Sequence, residues 1–279
     1  MRVLEHESAI AFLARVEPVL GAHEREHHLT LGVANALPLA TFLTVELGDA
    51  LHATAIVSAK RLMVLSVTVG DAAEALEALA AWLPLNGHHP PGFIADVPHA
   101  EAFARTWARS QGSEPRLKMR QRLHALTAVT PVPRAPGQLH PAGAGDIDLL
   151  LQWQGEFNRE AMGQSHDPEL REHLARRLDE GEMYLWIDGE PRSMAAWARP
   201  TRHGVAINSV YTPPGQRGHG YATSCVAALS QQLLNNGKRF CVLYTDLENP
   251  TSNAIYARLG YHPVADSLVY ELSPPTMDS

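Results

Sequence analysis

The sequence predicts an α/β (α+β) protein made of two halves, and three observations carry that prediction. Strand-like runs alternate with amphipathic helical segments along the 279 residues. The stretch 130–141, with Pro131, Pro133, Pro136, Gly137 and Pro141, suits neither a long helix nor a central strand and divides the chain. The order of elements runs in parallel on its two sides, which reads as a duplication.

The halves are bounded as 1–129 and 142–279, with 130–141 as the linker. In the first, helix-like segments near 5–36 precede strand-like runs at 41–47, 51–58 and 61–69. A helix at 71–83, a short strand at 93–95, a helix at 98–110 and a strand at 117–127 follow. In the second, helical patterns cover 146–160 and 167–180. Next come an apolar strand at 183–187, a turn at Asp188 and Gly189, and strands at 192–199 and 205–212. The helix 223–235 carries Val226, Leu229, Leu233 and Leu234 at helical spacing and stops at Asn236-Gly237. A buried strand at 240–244 leads to a helix opened by Asn249, Pro250 and Thr251 and closed by Leu259-Gly260, and 268–272 is a last strand.

A formal charge of −7 and a pI near 6.1, with no Lys/Arg cluster, argue against nucleic acid as a partner. Glu5, Glu7, Arg15 and Glu17 interrupt any signal-peptide core, and no uncharged apolar stretch is long enough to span a bilayer, so a cytoplasmic protein without a membrane partner is expected. Cys225 and Cys241 read as small buried hydrophobes. The fifteen histidines, including His27-His28 and His88-His89, read as surface residues, so no metal is expected.

The segment 210–222 is the most informative. A β-rich run meets a turn carrying Gly218 and Gly220 and then the start of a helix, an order that aims successive N–H groups and a helix dipole at a pyrophosphate, with Arg217 beside them. A Walker-type loop fails, because the Lys and Ser/Thr due after Gly220 are Tyr221 and Ala222. A dinucleotide fingerprint places Thr223 at its third glycine and Pro213-Pro214 where a tight turn is needed.

Arg217, Gly220 and Ala222 spell Arg-x-x-Gly-x-Ala, which resembles the acyl-CoA loop of the GNAT superfamily of N-acetyltransferases. Downstream, Asn249, Tyr256 seven residues on, and Gly260-Tyr261 resemble that superfamily's later helix. The resemblance covers roughly 139–272 and is closest to bacterial members related to the FR47-like and glycine N-acyltransferase groups. It implies tandem GNAT-like domains, each a mixed twisted sheet flanked by helices and splayed between its fourth and fifth strands. The first domain would be degenerate, since its turn at 67–73 has one glycine, no arginine and Asp71, which would repel phosphate.

The resemblance further implies acetyl-CoA as co-substrate and transfer of its acetyl group, by direct attack, to a primary amine of a small molecule, amino acid or peptide. Cofactor contacts would come from Val210, Tyr211, Thr212, Arg217, Gly218, His219, Gly220, Tyr221, Ala222, Thr223, Asn249 and Asn253. A bulge in the fourth strand would free amides near Val210 and Thr212. The oligomeric state stays open between monomer and homodimer.

For the departing thiolate Tyr256 is the candidate acid, its phenol having an ordinary pKa of about 10. At about 100° per residue it shares a helix side with Asn249 and Asn253. The base stays open: strand 204–211 contains no carboxylate, and Glu156, Glu160, Asp246 and His166 are candidates. That gap also admits an alternative, an acyl-CoA-binding sensor or scaffold without turnover. Trp153, Phe157, Met162 and His166 suggest a partly apolar acceptor wall.

Overall fold

Residue alternation along each strand decides the architecture. In the computed structural model, which describes residues 1–68, 72–163 and 167–273, the first half runs β1 (Arg2–His6), α1 (Ala9–Leu20), α2 (His28–Ala36), β2 (Thr41–Leu47), β3 (Ala50–Ser58), β4 (Arg61–Val67), α3 (Ala73–Leu85), β5 (Gly92–Asp96), α4 (Val97–Gln111) and β6 (Arg116–Leu126). The second half repeats that order: β7 (Gln138–Pro141), α5 (Ile147–Met162), α6 (Leu170–Asp179), β8 (Met183–Asp188), β9 (Glu190–Ala198), β10 (Gly204–Tyr211), α7 (Tyr221–Asn235), β11 (Phe240–Asp246), α8 (Pro250–Leu259) and β12 (His262–Glu271). On β4, Val64 packs with α1 and α2 while its neighbours Met63 and Leu65 pack with α3 and α4. On β12, Val269 and Leu268 divide the same way.

The strands form one sheet in the order β1-β2-β3-β4-β5-β12-β6-β11-β10-β9-β8-β7. Exchanging each strand n for n+6 leaves that order unchanged. The senses match too: β4–β5 and β10–β11 are the parallel pairs, and the others are antiparallel. The central pair is exchanged, since β12 closes the sheet beside β5 of the first half and β6 closes it beside β11 of the second. The linker therefore divides the chain without dividing the sheet.

Three elements depart from the sequence reading. β1 runs two residues into the segment read as helical from about 5, its five residues held on the sheet edge by β2. β7 lies within the linker, where Pro141 costs nothing because an edge strand leaves one side unpaired. β12 begins at His262, six residues before the expected start, because it pairs with β6 as well as with β5.

The rest of the linker is a strap on the second half. Pro136 carbonyl accepts from Trp186 Nε1 at 2.8 Å, Ala135 N–H donates to Ser224 Oγ at 2.8 Å, and the Arg134 guanidinium lies 5.0 Å from the Trp186 ring. Polar clasps join the halves elsewhere. Glu24 accepts from Thr201 Oγ1 and the His203 amide at 2.6 and 2.8 Å, and Lys60 meets Glu169 at 2.6 Å. Cys225 and Cys241 are buried free thiols whose pKa values burial raises, Cys241 to about 12. Among the described residues no helix is long and apolar enough to cross a membrane.

Gly92 shows how tightly the exchanged strand is held, because a Cβ there would run into the Tyr270 carbonyl oxygen on β12. Gly92→Ala is expected to lower unfolding free energy by about 1–3 kcal/mol in urea titrations. Gly21→Ala, where a Cβ meets nothing within 4 Å, should stay within about 0.5 kcal/mol of the parent.

Candidate active site

β10 and β11 pair only at Gly204–Ala206 with Phe240–Val242, and beyond those residues they separate. The edge of β10 facing β11 is thus unpaired from Ile207 to Tyr211. A bulge between Asn208 and Tyr211 sharpens the departure, and Ser209 there adopts a positive φ of 49°. This is the splay and the bulge that the resemblance implied.

What holds the bulge is a residue the sequence reading passed over. Arg177, 4% exposed at the C-terminal end of α6, donates to Asn208 Oδ1 at 2.9 Å, Ser209 Oγ at 3.2 Å and the Trp197 carbonyl at 3.0 Å. Its charge is balanced by Glu182 at 2.6 Å. In sequence the pair looks like two more surface charges, because the burial comes from β9 and β10 folding over the end of α6. The only hint is an arginine five residues before a glutamate at a helix-to-strand junction.

The turn after β10 matches the expected anion site. Gly218 and Gly220 have φ of 83° and 79°, and α7 starts at Tyr221, two residues before the expected Thr223. Its first turn has no side-chain cap and no acid. Among the described residues, no partner is found for the amides of 218–223. A Cβ at Gly218 would meet nothing within 4 Å, so the approach is open. The residues present therefore fit a diphosphate bound through backbone N–H groups.

Several side chains assigned to the cofactor are engaged elsewhere. Arg217 pairs with Glu160 at 2.7 Å, donates from Nε to the Thr212 carbonyl at 2.9 Å, and lies 5.6 Å from the Tyr211 ring. The buried Tyr211 donates its hydroxyl to Glu156 at 2.8 Å and to Glu160 at 3.3 Å. Tyr221 hydroxyl bonds Asp188 at 2.9 Å and stacks on His219, which fastens the start of α7 to the β8–β9 hairpin. Thr212 bonds Ser193, and Ser193 bonds the Tyr211 carbonyl. Val210, Ala222 and Thr223 are half-buried along the turn. Asn249 caps α8 through Ser252 N–H at 3.1 Å, and Asn253 Nδ2 bonds the Asp246 carbonyl at 3.1 Å.

The candidate acid and bases separate clearly. Tyr256 is 9% exposed in the cluster with Ile207, Leu243 and Cys225, so its ring belongs to the core at the fork of the two strands. No partner is found for its hydroxyl among the described residues, and burial holds its pKa well above the ordinary phenol value, so it stays protonated. Asp246 uses Oδ1 to accept from the Glu248 amide at 2.9 Å and shapes the turn into α8. Glu156 and Glu160 converge on Tyr211 from α5, beside a wall containing Trp153 and Phe157. Bonds from Gln152 and then Tyr211 hold the Glu156 carboxyl below its ordinary value, while burial and Glu156 raise the Tyr211 phenol. His166, the Met162 side chain and first-half residues 69–71, including Asp71, lie outside the described residues.

Residues 185–269 match the FR47-like protein family. No curated protein matches the chain. Three solved structures align along nearly its whole length. A GNAT-family acetyltransferase from Colwellia psychrerythraea gives a TM-score of 0.60 at 12% identity, covering 98% of this chain and 100% of that one. A Drosophila protein gives 0.67 at 14% identity, covering 99% of each. A tandem GNAT protein from the clavulanic acid biosynthesis pathway gives 0.59 at 13% identity, again covering 99% of each. The fold is therefore the one that these tandem proteins share. The FR47-like match lies wholly within the second half, over residues 185–269.

Two outcomes follow from these contacts. Arg177→Met leaves Glu182 buried without its cation and is expected to cost about 3–5 kcal/mol in urea titrations, while Arg177→Met with Glu182→Leu recovers most of the loss. The Tyr211 bond to Glu156 stabilises the fold above the ordinary glutamate value of 4.5 and is lost as pH falls through the depressed folded value. Carboxyl ¹³C NMR should therefore find the Glu156 titration moved up toward 4.5 in Tyr211→Phe.

Proposed function

We propose that the second half is an N-acetyltransferase that takes acetyl from acetyl-CoA and passes it, by direct attack, to a primary amine of a small molecule, amino acid or peptide. The observation that carries this reading is the junction of an unpaired, bulged strand edge with an uncapped helix start. The amides of 218–223 bind the diphosphate, and the unpaired edge of β10 offers donors for an amide arm and an acyl carbonyl. Acetyl-CoA supplies the thioester.

The protein's own groups then divide the proton traffic. Glu156, ionised and oriented by Tyr211, accepts a proton from the incoming ammonium, directly or through water, and so serves where the strand carries no carboxylate. Tyr256, kept neutral at the fork, holds the proton for the departing sulfur. Arg217 adds positive charge beside the turn once it leaves Glu160.

Thiol release from acetyl-CoA across a panel of amines tests the reading. The parent should release thiol with at least one amine; Tyr256→Phe should lower kcat by about 10²-fold with little change in KM for acetyl-CoA. Glu156→Gln should lower kcat similarly and remove the acidic limb of the pH profile. Tight coenzyme binding without release on any amine would instead establish the sensor.

A further inference from the structure

The first half has its own fork. β4 and β5 pair only at Met63–Val64 with Phe93–Ile94 and then separate, as β10 and β11 do. Between them lies a cavity of about 190 Å³. The start of α2 closes over it, and β12 residues 265–267, lent by the other half, form its far wall. It is smaller than the roughly 300–1,000 Å³ of ordinary ligand pockets, so it suits a small molecule and not a coenzyme.

The lining is apolar below and polar above. Val64, Ile94 and Leu123 contribute aliphatic surface. Ser267, 7% exposed, lies on the strand face turned toward the cavity, and its Oγ is buried with no hydrogen-bond partner among the described residues. A buried hydroxyl without a partner is unfavourable, and a ligand donor or acceptor would offset that cost. Thr30 and Ser66 add a hydroxyl pair at 2.6 Å.

The charge in the lining is one-sided. Asp266 is neutralised by Arg122 through bonds of 2.6 and 2.8 Å. Glu26 and Asp96 have no Lys or Arg partner among the described residues, Asp96 being bonded only by His99 Nδ1 at 2.7 Å. Burial lowers the His27 pKa, so the ring adds no positive charge at neutral pH.

We propose that this crevice is a binding site for a small organic cation, a primary amine on a short apolar body, separate from the acceptor site of the second half. The ammonium lies toward Asp96 and Glu26, and the apolar body lies on the aliphatic floor beside Ser267.

Calorimetry on the full chain at pH 7, without coenzyme, tests this with pentylamine against pentanol and pentanoate. Pentylamine should bind at least tenfold more tightly than either. Asp96→Asn should weaken it about tenfold, Ala265→Leu should abolish it by filling the cavity, and Glu156→Gln, on the other site, should leave it unchanged. The proposal is overturned if the parent binds no pentylamine, or if pentanol or pentanoate binds equally well. It is equally overturned if Glu156→Gln abolishes binding while Asp96→Asn and Ala265→Leu retain it. Should a substituted chain fail to fold, the ranking of the three probes on the parent decides.

Discussion

Each half of this molecule completes its sheet with a strand from the other half, and that exchange governs everything else. β12 lies between β5 and β6, and β6 between β12 and β11, so the two sets of strands share their central hydrogen bonds. Neither half keeps a full core alone: Leu268 and Leu272 sit among the first half's buried residues, and Leu126 among the second's. Both forks consequently lie in one continuous sheet. The opening between β10 and β11 is flanked on both sides by paired strands, β9 and β6.

Within that frame the second-half site depends on charge placed where charge is costly. Arg177 is tolerated in the interior because each nitrogen of its guanidinium finds an oxygen, and in exchange it holds Ser209 in a conformation few side chains adopt. Glu156 and Glu160 of α5 lie toward the Tyr211 side chain, whereas the Tyr256 ring belongs to the cluster of α7 and α8. Glu156 and Tyr256 therefore sit against different cores. The splayed strands lie between them.

The duplication, most elements and the anion turn were legible in the sequence because they rest on local signals. Gly218 and Gly220 declare the turn, and the stop at Asn236-Gly237 and the cap at Asn249 fall where they should. What stayed hidden was non-local. Nothing near 262–271 announces pairing with residues 137 or more positions earlier, and Arg177 looks like any helix-end arginine until β9 and β10 cover it. Asn249 and Asp246 show the reverse case: residue types suited to chemistry also suit caps and turns, and here both side chains serve the backbone.

The strap at 130–137 has an implication for the order of the two repeats in the gene. Opening the chain between Thr130 and Gly137 would cut no strand, since β6 ends at Leu126 and β7 begins at Gln138. It would nevertheless free the segment that covers Trp186 and answers Ser224. The covalent junction is thus structural lining for the repeat that follows it, and a circular permutant would have to replace that lining before it regained the parent's packing.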